Sequence, residues 1–300
     1  MNSKIDKVRK SDAKKRWKLL AQNLIKSKTR SENKDDYTEE SSISVRRFKG
    51  FDIFQYKKER EDEHGVWYKV ESEKHLKLKT PSIRLLSNRI DPEILIGFNN
   101  TGNICIWPSE EVLAYFCLNN KEKFRDKKIC ELGGGMTALA GLLLATESNA
   151  EEVHLTDGNK ESAKNIADIV QENDRLFGNT RVRSRQLLWA KDQLSAQKNV
   201  FDFILCADCC YFLEYQQGLI ETISELLSEK GEAILFAPKR GNTLDTFVNL
   251  ANVSFTTQVV ENYDKEIWQK YQKFKEGRSS FDPDIHYPLM VIMQKKGNPN

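Results

Sequence analysis

Three observations predict an α/β fold built on a doubly wound, mostly parallel sheet. Five apolar strand-like runs lie between residues 128 and 238, helix-length stretches separate them, and a glycine-rich turn follows the first run directly. Parallel strands covered by helices on both faces lose the alternation of a half-exposed strand and read as continuous apolar runs. Two further strand candidates, 256–260 and 288–294, follow with no clear amphipathic helix pattern between them. That spacing suggests seven strands, with an antiparallel strand closing the sheet.

Taken in order, core strands are expected at 128–132, 153–157, 182–189, 201–208 and 232–238, with a helix over 136–145 opening at the glycine turn. Upstream, 43–54, 66–70 and 82–86 are short alternating or aromatic-rich runs between charged loops, the pattern of a small antiparallel sheet. The chain therefore divides into a basic, largely flexible leader (1–42), a β-rich appendage (43–106) and an α/β domain (107–300).

Charge is uneven along this division. The net charge is +3, yet residues 1–30 hold eleven Lys and Arg against Asp6 and Asp12, a local +9, so the remainder sums to −6. Within the leader, Trp17, Leu20, Ala21, Leu24 and Ile25 share one helical face with lysines opposite. A basic amphipathic helix suits an acidic, Met-rich groove such as that of calmodulin, while a self-packing or disordered leader is the plainer reading. Nucleic acid is not expected as a partner, because no aromatic-interleaved basic patch recurs downstream.

Six cysteines (Cys105, Cys117, Cys130, Cys206, Cys209 and Cys210) sit in or beside apolar runs without framework spacing, which suits reduced thiols in the cytoplasm, with the nucleus also open. Cys206 and Cys209 form a Cys-x-x-Cys pair with no second pair, so no metal site is expected. No stretch reads as a secretory signal or a membrane span, and a membrane partner is not expected.

The strongest chemical signal is Glu131-Leu132-Gly133-Gly134-Gly135-Met136-Thr137-Ala138, which leaves a predicted strand and opens a helix. Glycines there let the backbone turn sharply and approach a ligand closely. The next strand ends in Asp157, where a carboxylate can accept both hydroxyls of a ribose, although a turn or helix-capping role is also open to it. Nicotinamide dinucleotides and S-adenosylmethionine both use this geometry. Glu131 leans toward the second, since it would repel a pyrophosphate and attract a sulfonium or amino group. The fourth strand ends in Asp208-Cys209-Cys210-Tyr211 at the sheet edge where ligands bind. Trp107 and Trp189 could each offer a ring to a planar group, or simply be core.

At these residues the chain resembles the class I, Rossmann-like, seven-strand protein-lysine methyltransferases that use S-adenosylmethionine, and within them the branch acting on calmodulin. The match runs from about residue 16 to 295 and is nearly word for word in Ser44-Val45-Arg46-Arg47-Phe48, in Phe98-Asn99-Asn100-Thr101-Gly102 through Tyr115, in Leu155-Thr156-Asp157-Gly158-Asn159, and in Phe236-Ala237-Pro238-Lys239-Arg240-Gly241-Asn242-Thr243-Leu244. The resemblance implies that Gly133, Gly134 and Gly135 cradle the methionine end of the cofactor and that Asp157 holds its ribose. Trp107, Trp189 and Ala207 would line the cleft, and Glu131, Thr137 and Asn159 are counted with them as cofactor-binding. It also implies that Asp208 and Tyr211 form the catalytic Asp-x-x-Tyr pair at the mouth of a lysine pocket. The activity implied is methyl transfer to a lysine side chain of calmodulin. The alternatives are the same reaction on another protein, a nicotinamide-dependent oxidoreductase, disfavoured by Glu131, and a non-catalytic calmodulin-binding scaffold.

Overall fold

Burial decides which strands are central. Residues 129–132, 153–157 and 203–206 hide almost every side chain on both faces, whereas residues 181–186 leave theirs exposed or half-exposed. The first group must lie inside a helix-covered sheet and the last at its edge. The computed structural model describes residues 48, 50–87, 105–189, 198–277 and 281–297. The expected leader helix and residues 43–47 lie outside the described residues.

The large sheet contains β4 (Lys128–Leu132), β5 (Glu152–Asp157), β6 (Arg181–Gln186), β7 (Phe201–Ala207), β8 (Leu227–Ala237), β9 (Phe255–Val260) and β10 (Leu289–Lys295), in the order β6-β5-β4-β7-β8-β10-β9. Strands β4 to β8 run parallel, and β10 pairs antiparallel with both β8 and β9. From β4 the chain moves outward to β5 and β6, then returns to the other side of β4 with β7. The strand order therefore reverses between β4 and β7, where open α/β sheets leave a ligand crevice at the strands' carboxyl ends.

Helices α1 (Pro108–Asn119), α2 (Leu139–Glu147), α3 (Lys160–Asn173), α4 (Leu213–Leu226), α5 (Thr243–Ala251), α6 (Lys265–Glu276) and the single turn α7 (Pro283–His286) complete the described architecture. Helix α2 is apolar all round (LAGLLLATE) and buried along nearly its whole length, as a helix packed between other layers must be. Gly141 allows that packing, because a Cβ there would lie 2.3 Å from Leu155 Cδ2 and 2.8 Å from Glu131 Oε2.

The small sheet, β1 (Gln55–Glu61), β2 (Gly65–Glu71) and β3 (Ser82–Leu86), is antiparallel throughout. Two asparagines of α3 hold β3 in place. Ser82 N donates to Asn173 Oδ1 (2.8 Å), whose amide returns a bond to Ser82 O (2.7 Å). Arg84 Nε donates to Asn165 Oδ1 (2.7 Å), and Asn165 Nδ2 donates to Arg84 O (2.9 Å) and to Met136 O (2.7 Å). Side-chain amides thus give this strand the backbone partners that a neighbouring strand would give.

Several boundaries differ from expectation. The run 43–54 does not form a strand over its described residues; Phe48 and Phe51 instead pack edge-on against Phe274 and Phe281. Strand β1 is the charged run that follows, which shows no alternation because an edge strand exposed on both sides has no face to bury. The helix expected over 136–145 begins at Leu139, since Ala138 takes a left-handed conformation (φ 46°) and residues 135–137 form a turn. Strand β6 ends at Gln186, so Leu187 to Trp189 leave the sheet. Between β9 and β10 lies a full helix, α6, capped by Asp264, whose carboxylate accepts from Glu266 N and Ile267 N. Its thin apolar stripe of Ile267, Tyr271 and Phe274 is hidden in sequence among eight charged or amide residues.

Candidate active site

The turn after β4 is shaped by left-handed glycines. Gly133 (φ 64°) and Gly135 (φ 61°) adopt conformations that side chains disfavour, and a Cβ on Gly133 would come 2.7 Å from Cys209 Sγ and 3.1 Å from the Trp189 ring. Gly134 N donates to Thr156 O and Gly135 N to Asp157 Oδ2, both at 2.9 Å. The turn is therefore tied to the end of β5 on one side and pressed against the loop after β7 on the other.

Two buried carboxyls stand at this turn. Glu131 is fully buried; its Oε2 accepts from Gly141 N (2.6 Å), while its Oε1 has no hydrogen-bond partner among the described residues. Burial pushes its pKa up to about 8, against the Gly141 bond, and the Glu110 and Asp157 carboxyls add to the rise. Asp157 accepts from Asn159 N (2.7 Å) as well as from Gly135, yet burial raises it to about 7. An orphaned acidic oxygen buried just before the glycine turn fits a ligand that brings a cationic group, which would supply the missing partner.

The loop after β7 carries a second constellation. Asp208 N donates to Phe236 O (2.8 Å), and Asp208 itself sits at φ 57°, a strained conformation of the kind found at functional sites. Both its carboxylate oxygens are held by the guanidinium of Arg240, through Nη1 and, at 2.6 Å, through Nη2. The same guanidinium lies 4.7 Å from the centre of the Tyr211 ring. Burial works against its charge, but the Asp208 carboxylate outweighs burial and the Arg240 pKa is raised. Buried Gln216 joins the two walls, donating from Nε2 to Cys210 O (2.8 Å) and Thr243 O (3.0 Å). A small concavity between them is lined by Asp208, Tyr211, Pro238, Arg240 and Leu244, among others.

Comparison with known proteins sets this geometry in a family. A family model described as "Lysine methyltransferase" matches residues 93–253. The calmodulin-lysine N-methyltransferase of Arabidopsis thaliana is 35% identical over 303 aligned residues, covering 96% of this chain and 98% of that protein. The chain belongs to the lysine methyltransferase family. A protein-lysine N-methyltransferase of Chaetomium thermophilum is 28% identical over 57% of this chain and 52% of its own length. Among solved structures, an S-adenosylmethionine-dependent methyltransferase from Aquifex aeolicus aligns with a TM-score of 0.43 at 14% identity, covering 63% of this chain and 90% of that one.

In this lysine methyltransferase, the residues singled out from sequence fall into two groups. Gly133, Gly134, Gly135, Asp157 and Trp189 meet at the crevice between β4 and β7, Ala207 ends β7 beside them, and Glu131 lies buried two residues before Gly133 with its carboxyl against Gly141 of α2. Other side chains are engaged in the scaffold. The Asn159 carboxamide oxygen caps α3, accepting from Glu161 N and Ser162 N. The Thr137 hydroxyl donates to Glu110 Oε1, and Trp107 N donates to Glu110 Oε2 (3.3 Å) at the start of α1. Three residues of this lysine methyltransferase went unassigned in the sequence reading: Glu110, which ties α1 to the glycine turn, Gln216 and Arg240. Arg240 had a signal, since it follows β8 at the edge where β7 delivers Asp208. Gln216 had a fainter one, a polar residue on the apolar face of α4.

Proposed function

We propose that this lysine methyltransferase binds S-adenosylmethionine in the glycine-turn crevice and methylates a lysine side chain of calmodulin. The approach of Gly133 to Cys209 carries the reading. It joins the crevice of Glu131 and Asp157 to the loop of Asp208 and Tyr211, so cofactor and target amine can share one cleft. Support for the substrate comes from the near full-length similarity to a protein named as a calmodulin-lysine N-methyltransferase.

Bound there, S-adenosylmethionine supplies an electrophilic methyl carried on a sulfonium. Asp157 is assigned to the ribose hydroxyls and the free oxygen of Glu131 to a cationic group of the ligand. Catalysis by the chain then rests on presenting a neutral, oriented amine. A lysine of pKa about 10.4 is almost wholly protonated at pH 7, and its neutral form costs roughly 4.6 kcal/mol. Tyr211 is assigned to desolvating the amine, which disfavours the ammonium, and Asp208 to orienting it as it enters.

The test is to incubate the enzyme with calmodulin and S-adenosylmethionine and to weigh the calmodulin intact. Mass gain in whole methylene steps at one lysine is expected. No gain on calmodulin, with S-adenosylhomocysteine still bound by the enzyme, would send the substrate search to other acidic proteins.

A further inference from the structure

An acidic residue at the mouth of a lysine pocket creates a conflict. A free carboxylate attracts the incoming ammonium but also stabilises it, and the ammonium has no lone pair with which to attack a methyl group. In this fold the carboxylate is not free. Arg240 holds both oxygens of Asp208 in a fork while its guanidinium lies over the Tyr211 ring. The backbone of Arg240 is fixed as well: its N–H donates to Asp284 O (2.8 Å), Gly241 N donates to Asp284 Oδ2 (2.8 Å), and Arg240 sits at φ 44°. A left-handed, doubly anchored arginine is built into its place.

We propose that Arg240 is a positioning residue of the lysine pocket: by gripping both oxygens of Asp208 it fixes that side chain's orientation and cancels its charge, so the pocket does not trap the target lysine as unreactive ammonium. The inference rests on the lysine-pocket reading above. The bond changes are those of the parent reaction. The amine yields its proton to solvent, its lone pair forms the N–C bond, and the S–C pair leaves with the sulfur. Arg240 touches none of these atoms and acts through Asp208 and Tyr211.

Other groups around the pair do not replace it. Tyr211 and Cys210 on the β7 loop act on Arg240, Cys209 follows Asp208 with its thiol turned to Leu132 O and Ala207 O, and Asp284 on α7 holds the Arg240 backbone. The bond to Cys206 and burial push the Cys209 thiol well up, and burial does the same to Cys210, so both stay neutral. Asp284 is an anion and cannot offset Asp208. Among these groups Arg240 alone brings a positive charge.

The experiment follows kcat and kcat/KM for calmodulin methylation across pH in four proteins: wild type, Arg240→Gln, Arg240→Lys and the double variant Asp208→Asn/Arg240→Gln. With its partner lost, Asp208 raises the amine's pKa, so the acid limb of Arg240→Gln should move up by about one pH unit or more, with rate recovered at high pH. The double variant, neutral again, should return the limb toward the wild-type position. Arg240→Lys, which keeps the charge but not the fork, should keep the limb and lose rate. An equal loss of rate at every pH in Arg240→Gln, or a shifted limb that the second substitution does not restore, overturns the proposal. Binding of S-adenosylhomocysteine at wild-type affinity certifies the fold of each variant. Wild-type enzyme inactive on calmodulin would be a failure of the substrate reading. In that case a double-mutant cycle on unfolding decides the pairing: strong non-additivity of Asp208→Asn and Arg240→Gln is expected, and additive losses overturn it.

Discussion

Asp157 Oδ2 accepts a hydrogen bond from Gly135 N at 2.9 Å, which fastens the end of β5 to the glycine turn after β4. One carboxylate thus shapes the turn and offers its remaining lone pairs to a ligand. Burial raises its pKa to about 7, so its ionised form is only partly populated at neutral pH in the free protein. Ribose hydroxyls donate to the ionised form. Cofactor affinity should therefore tighten as pH rises through about 7 and weaken below it, and Asp157→Asn should weaken S-adenosylhomocysteine binding by roughly tenfold or more, the scale of one charge-assisted hydrogen bond. Calorimetric titration from pH 6 to 8 checks both, and a pH-independent affinity would remove Asp157 from the ribose.

Glu131 gives a stability prediction with a definite sign. Its pKa rises on folding from 4.5 to about 8, so the folded state binds this proton more tightly than the unfolded chain. The stability linked to it is fully present below about 4.5 and is lost as pH rises through about 8. Ligand-free enzyme should melt at falling temperature from pH 6 to 9. Glu131→Gln, which keeps the acceptor for Gly141 N without a titrating proton, should flatten that slope and exceed wild type at pH 9 by a few kcal/mol. Parallel melting curves for the two proteins would show that the buried carboxyl is not the source.

What could be read from sequence follows where burial acts on contiguous residues. The strand limits 128–132 and 82–86 coincide with β4 and β3, because each run is bounded by charged or turn residues and buried at all but one end position. The seven-strand sheet with an antiparallel closing strand was legible for the same reason. Helix α6 was not, since it buries only Ile267 and Tyr271 fully, and two of the three residues of its stripe are aromatic. The proximity of Asp157 to the glycine turn was legible because βαβ geometry fixes it. The grip of Arg240 on Asp208 was not, because the two lie 32 residues apart and meet only through the pairing of β7 with β8. Local periodicity carries no record of such a contact.

The leader offers a test that turns on charge alone. Residues 1–30 carry a net +9 while the rest of the chain sums to −6. Long-range attraction of an acidic substrate to such a segment is screened by salt. Enzyme lacking these residues should show a KM for calmodulin raised by roughly tenfold at low ionic strength, with the gap closing at high salt. Equal KM values at low salt would leave the leader no part in substrate capture.

Asn165 is the most economical point at which to separate the small sheet from the large one. Its carboxamide accepts from Arg84 Nε and donates to Arg84 O and Met136 O, so one side chain of α3 connects β3 to the backbone of the glycine turn. It is buried, as is Arg84, and truncation would leave a guanidinium N–H and two carbonyls without partners away from water. Leaving buried polar groups unpaired costs about 1–3 kcal/mol each before relaxation, so Asn165→Ala should destabilise the protein by about 2–4 kcal/mol. Because Met136 O belongs to the turn, S-adenosylhomocysteine affinity should fall with it, although Asn165 stands outside the crevice. Urea unfolding and ligand titration measure the two effects. The exposed neighbour Gln171→Ala on the same helix serves as the control that should change neither. A stability loss without any loss of affinity would mean that the turn keeps its shape without the small sheet, and that the two sheets are mechanically independent at this contact.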